Sequence, residues 1–328
     1  MIKHGLIFVT FLVVISSCSV SKSYRPEKRY SPQELRSDYL LLRKILEEKH
    51  PSLYWYTSKD SMDRVFDRSF DHIRDSMTEF AFGWRILAPV LAQIRCGHTS
   101  FLMSKGESKY FRGKRIPSFP LFVKVWNDSM MVVGNLNKDT VIKRGDFITS
   151  INGLPNRVII DTLFKYMVKD GYNENLNYIR LSISFPYILG DVMGIAPNYR
   201  VDFTDSTGSG KVAVEKLYSF APDSTAKTQK KPERKKHVTA QQKRNWIRSV
   251  SVDSTVAIMD LNAFSKGNLT HFFKRTFKTI RKNHTQNLII DLRVNGGGDI
   301  NKAINLMKYL RKDSFRIADT AFSIAKNF

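Results

Sequence analysis

Apolar residues recur along the chain with two different periods, and the changes of period outline its organisation. Leu35, Tyr39, Leu42 and Leu46 repeat at helical spacing behind Ser31-Pro32-Gln33-Glu34. That segment combines an N-cap serine, proline at the first helical position and a glutamate three residues after the cap, a capping box. The predicted helix ends at His50-Pro51. A second helix turns Met62, Val65, Phe66, Phe70, Ile73 and Met77 inward, and a third spans 79–94 with a kink at Pro89. Together they form a helical cap, whose aromatics, Tyr54-Trp55-Tyr56 included, read first as core and second as the lining of a groove.

Beyond residue 115 the period shortens to two. LFVKVW and MMVVGNL flank the Asn127-Asp128 turn as a pair of strands. A helix over 158–168 follows, then a helix and strand over 173–203, where Arg180, Phe185 and Tyr187 stand out. The last stretch alternates elements: a strand at 256–261, a helix at 272–281, then the short apolar run Leu288, Ile289, Ile290 and Leu292. That run reads as a strand buried on both faces. Ala303, Ile304, Met307 and Leu310 mark a final helix with Asp299 as its N-cap. Strand, helix, strand and helix with short links imply parallel pairing.

Between that last strand and helix lies Asn295-Gly296-Gly297-Gly298. Three glycines permit positive φ and close approach, with N–H groups free to face a negative oxygen. The oxygen belongs either to a phosphate or to the oxyanion of acyl transfer. The loop lacks the Gly-Lys-Ser/Thr ending of a P-loop and the spaced glycines of a dinucleotide fingerprint, which counts against phosphate. A plain glycine-rich turn without chemistry is the remaining alternative.

Charge and leader add a location. The chain has 328 residues, 42% hydrophobic and 25% charged, enough for about two to three domains, with a formal net charge of +23. Such charge suits an acidic partner: nucleic acid, anionic membrane or acidic glycan. Met1-Ile2-Lys3-His4 is a basic start, residues 6–15 are an apolar run too short to span a bilayer, and Ser16-Ser17-Cys18 follows. This resembles the bacterial lipoprotein signal, which implies acylation at Cys18 and export. Export excludes nucleic acid as a partner. Residues 19–29 then form a polar tether. With Cys18 modified, Cys96 is left alone and no intramolecular disulfide is possible. Between 227 and 248 nine basic residues face one acid, Glu233, a net of +8. That segment reads as a solvated insertion, with contact to anionic headgroups as the functional alternative.

His98 follows the third helix in Arg95-Cys96-Gly97-His98-Thr99-Ser100. Cys96 reads as structural, since no orienting partner for a Cys-His pair is evident. His50, His72, His237, His271 and His284 form no ligand spacing, so no metal site or cofactor is expected.

Asp291-Leu292-Arg293-Val294-Asn295-Gly296-Gly297-Gly298 resembles a segment of the C-terminal processing, or tail-specific, serine peptidases. Gly97-His98-Thr99-Ser100 is similar to the catalytic-histidine segment of their tricorn-core-like branch, and residues 145–153 look like the G-D-x-I-x-x-I-N-G core of a PDZ domain. No Gly-Leu-Gly-Phe carboxylate loop accompanies it.

The resemblance implies an α+β / α/β multidomain chain: signal peptide 1–18, tether 19–30, helical cap 31–104, PDZ-like module 105–172, connecting segment 173–226, basic linker 227–252 and an incomplete ClpP/crotonase-like α/β domain at 253–328. His98 would be the general base, and Gly296, Gly297 and Gly298 the oxyanion hole, with Gly297 the leading donor. The substrate would be peptide or unfolded protein, and the location the cell envelope of a Gram-negative bacterium, anchored by lipid. The family's serine lies further on than the loop. Ser323, within the apolar run 320–325, reads as part of the next strand, so the chain is expected to lack its nucleophile and to be inactive alone. The alternative is a non-catalytic peptide-binding lipoprotein.

Overall fold

The computed structural model describes residues 24–114, 116–137, 141–219, 248–252, 255–265 and 267–318. The leader with Cys18, most of the basic segment and Ser323 lie outside them. No helix among the described residues is long and apolar enough to cross a membrane. Two compact units divide at Pro222/Asp223.

The first unit opens with strand β1 (Arg29–Tyr30), helix α1 (Pro32–Lys49) and helix α2 (Lys59–Asp71), and β1 pairs with β2 (Met77–Thr78). The capping box forms as the sequence predicts: Glu34 N donates to the Ser31 hydroxyl and Ser31 N donates to the Glu34 carboxylate. The inward stripe packs Leu35, Tyr39 and Leu46 against Met62, Phe66 and Ile73. Tyr39 donates its buried hydroxyl to the Phe66 carbonyl at 3.0 Å, so this buried polar group is satisfied.

The third helix is continuous but differs in detail from the expected proline kink. It consists of α3 (Glu79–Phe82), a π-helical turn at Gly83–Leu87 and α4 (Ala88–Ile94). Pro89 has no N–H to give and its ring needs room in the preceding turn; the wider turn supplies that room. A short helix α5 (Lys105–Phe111) follows.

The second layer of this unit is an antiparallel sheet ordered β3-β4-β5-β7-β8, with β6 paired to β5. Its strands are β3 (Leu121–Trp126), β4 (Ser129–Asn135), β5 (Phe147–Ile151), β6 (Leu154–Pro155), β7 (Asn198–Thr204) and β8 (Gly210–Lys216). Asn152 and Gly153 take positive φ between β5 and β6, as an Asn-Gly hairpin requires. Helices α6 (Asn156–Phe164) and α7 (Asn175–Met193) cover one face with Ile159, Ile160, Leu163, Leu181 and Phe185. The edge strand β3 is closed off by Ser182 of α7, whose hydroxyl accepts from Val125 N at 2.9 Å. Met167 belongs to the sheet core and Val168 to the helical core, so the segment after α6 is clamped between the two.

The second unit is a three-stranded sheet ordered β11-β10-β9, made of β9 (Arg248–Val252), β10 (Val256–Leu261) and β11 (Asn287–Asp291), with helices α8 (Leu269–Lys282) and α9 (Ile300–Leu310). The β10–β11 pair is parallel, as the strand-helix-strand order implies. Three expectations need correcting. β9 falls inside the expected basic linker and pairs antiparallel with β10; its Ser-Val alternation carries the strand period that the neighbouring charges obscure. β11 is not buried on both faces: Ile289 stays 53% exposed and its register partner Ile258 46%, because the described helices pack on the other side. The centre of the α9 contact is Leu306, 5% exposed, with Tyr309 stacked on Phe277 at 4.7 Å; Met307 and Leu310 face outward.

Candidate functional site

Helix α4 ends on Arg95, which adopts the left-handed conformation (φ 58°) and returns its N–H to Ala92 O. The chain then turns tightly, with Thr99 N donating to Cys96 O at 3.0 Å. His98 sits on that turn with its ring exposed. Two contacts fix the turn. Ser52 N donates to His50 Nδ1, which leaves Nε2 to carry the hydrogen and donate to Thr99 Oγ1 at 2.8 Å. Burial holds the His50 pKa below its ordinary value, in keeping with a neutral ring.

The second contact comes from the clamped segment after α6. Asp170 accepts from Gly97 N at 2.6 Å, and Gly171 N donates to Arg95 O at 2.9 Å, so the two loops are stapled by a pair of backbone donors. A Cβ on Gly97 would lie 2.8 Å from an Asp170 carboxylate oxygen. The Arg95 guanidinium lies over the Tyr172 ring at 4.6 Å, and Tyr172 meets Tyr56 edge-on. The result is a cluster absent from the sequence reading: a donor atom from each of Cys96, His98 and Asp170 lies within 4.8 Å of the other two. His98 therefore has an exposed carboxylate neighbour. The Asp-Gly pair at 170–171 signals a turn, but nothing local in the sequence says where that turn lands.

The segment that carries His98 continues into the wall of a cavity of about 800 Å³. Ser100 and Phe101 line it together with Trp84, Phe111, Pro186 and Tyr187. Arg180 and Tyr187, conspicuous in the sequence, both face it, whereas Phe185 is buried in the sheet core. Tyr54, Trp55 and Tyr56 do not line it. Its polar groups include Glu107 and Asp191. Burial pushes the Asp191 carboxyl up to about 6, and the nearby Glu107 charge adds to the rise.

The glycine loop belongs to the second unit. Asn295 organises it: its Nδ2 donates to Leu261 O at 2.6 Å, and its Oδ1 accepts from Gly297 N at 2.8 Å. Phe264 N donates to Gly297 O, and Asp299 N to Phe264 O. Gly298 (φ 141°) presses on this strand-like contact so closely that a Cβ there would sit 2.5 Å from the Phe264 carbonyl carbon. A Cβ on Gly296 would meet only open space. The N–H of Gly297, the donor expected to lead the oxyanion hole, is the one that donates to Asn295 here. Among the described residues no acceptor takes the Gly296 or Gly298 N–H. Asp299 caps α9 by accepting from Asn301 N, as its position predicts. Two positions before Leu292's neighbour Arg293, Asp291 takes a forked pair of bonds from that guanidinium, which draws its pKa down to about 2.

Comparison with known proteins adds two findings. Residues 255–326 match the sequence profile of peptidase family S41. The fold is similar to that of mature CPAF, at 12% identity with a TM-score of 0.53, covering 82% of this chain and 56% of that one. It is also similar to mature CPAF complexed with lactacystin, at 13% identity and a TM-score of 0.55, covering 84% of this chain and 59% of that one. The chain thus spans less than two-thirds of the length of those structures, and the likeness at this identity is one of fold. No curated protein matches the chain in sequence.

Proposed function

We propose that the chain is part of an exported serine-type peptidase of the tail-specific kind, acting on unfolded or C-terminal peptide segments. In this reading His98 is the general base, Asp170 holds its imidazole in orientation, and the glycine loop supplies N–H groups to the oxyanion. The observation that carries it is the pairing of two features. A histidine stands on a fixed turn beside a carboxylate, and a family S41 match runs over a loop that keeps two backbone donors without acceptors among the described residues. A positioned base contributes about 10²–10⁴ in rate. Each oxyanion donor contributes about 3–4 kcal/mol to the transition state.

The nucleophile is proposed to be a serine, which in the tail-specific peptidases lies further on than the glycine loop. Residues 105–172, with their Gly145 and Asn152-Gly153 turns, are read as a PDZ-like module that presents extended chain. The apolar cavity beside Ser100 suits large side chains of such a substrate. Acylation at Cys18 would hold the protein at the cell envelope. Incubation of the gene's full product with a denatured protein, with and without a serine-reactive phosphonate, tests the reading; phosphonate-sensitive fragments are expected. Saturable peptide binding without any cleavage would instead favour a non-catalytic binder.

A further inference from the structure

Cys96, His98 and Asp170 also offer something independent of peptide chemistry. A thiol sulfur, an imidazole nitrogen and a carboxylate oxygen lie within 4.8 Å of one another. Ligands around a tetrahedral zinc ion stand about 3.4–3.6 Å apart, given bonds of about 2.0–2.3 Å. Closing on an ion therefore takes a movement of roughly an ångström, within reach of side-chain rotation.

The backbone that carries these groups is already fixed. Cys96 and His98 flank one tight turn, closed by Thr99 N on Cys96 O. Gly97 N holds one Asp170 oxygen at 2.6 Å and leaves the other without a protein donor among the described residues. A backbone donor of this kind is the outer support that orients ligating carboxylates. A Cβ at 97 would push the Asp170 carboxylate out of this position. The neighbouring cations are engaged elsewhere: Arg95 lies over Tyr172, and Lys169 pairs with Glu174 at 2.7 Å. Sulfur, nitrogen and oxygen together select a borderline-soft ion over magnesium or calcium, which prefer oxygen alone. Thiolate and carboxylate together offset a charge of two.

We propose that Cys96, His98 and Asp170 form a binding site for a divalent cation of the zinc class, with the fourth position open to water. Occupancy would take the imidazole out of service as a base; that consequence, unlike the site itself, rests on the peptidase reading of His98.

The test is a cobalt(II) titration of the full chain carrying Cys18→Ser, in which Cys96 is the only thiol. Expected are a thiolate-to-cobalt charge-transfer band and visible bands of a four-coordinate ion, both removed by one equivalent of zinc. Cys96→Ser should abolish the charge-transfer band, and His98→Ala and Asp170→Asn should each weaken binding by about 10-fold or more. Circular dichroism checks that each variant folds, and the two non-thiol variants decide the matter if Cys96→Ser does not. No band in the Cys18→Ser chain, or a band indifferent to both His98→Ala and Asp170→Asn, would overturn the site. Peptide turnover enters none of these readouts. Cobalt binding by this chain with no cleavage by the gene's full product would contradict the peptidase reading alone, and cleavage by that product without cobalt binding here would contradict the site alone.

Discussion

Gly97 donates its backbone N–H to the Asp170 carboxylate at 2.6 Å, a bond between residues 73 positions apart. It decides which carboxylate stands beside His98, and it depends on the absence of a side chain at position 97.

Gly97→Ala should therefore displace Asp170 more than it destabilises the fold. The clashing atoms are the end of an exposed side chain that can swing away, so the loss is about one hydrogen bond, roughly 1 kcal/mol. Urea denaturation should show that small change. Cobalt affinity should fall about as far as in Asp170→Asn. A Gly210→Ala control, with open space around its Cβ and no positive φ, should alter neither.

The glycines of the loop should separate by role. Gly298→Ala forces a Cβ against the Phe264 backbone at a left-handed φ and should cost the second unit at least about 2 kcal/mol. Amide hydrogen exchange in β10 and β11 would register it. Gly296→Ala has room and should leave that exchange almost unchanged. Equal protection in all three proteins would contradict the packing described for Gly298.

How much of this was legible in the sequence follows from how far apart the interacting residues lie. The Ser31 capping box and the Asp299 cap are local devices, complete within a few residues, and both form as the sequence predicts. The inward stripe of α1 and α2 was legible for the same reason. The buried face of α9 lies one position from the expected one, since Leu306 and Met307 are both apolar and only the contact with α8 chooses between them. The open face of β11 depends on which side the helices take, which period alone does not encode. Asp170 was invisible because its address is set by Met167 and Val168, wedged between two different cores.

Asp191 makes stability depend on pH. Burial raises its folded pKa to about 6 from the ordinary 3.8, so the native state binds this proton more tightly than the unfolded chain does. The protonated carboxyl carries no penalty at about pH 4; as pH rises from 3.8 through about 6 the buried group ionises and stability falls, by on the order of 2–3 kcal/mol above that range. Asp191→Asn should stabilise the protein by about 1–3 kcal/mol at pH 7.5 and change little at pH 4. Thermal melts at the two pH values would show it, and an equal effect at both would contradict the burial of this carboxyl.

His98 carries the proposed chemistry. The decisive measurement is the rate at which the gene's full product cleaves a denatured protein substrate, compared between the native sequence and His98→Ala at matched folding. Loss of a general base predicts a fall in kcat/KM of about 10²–10⁴, with little change in the urea midpoint because the ring is exposed. Cleavage that proceeds equally fast in His98→Ala would contradict it.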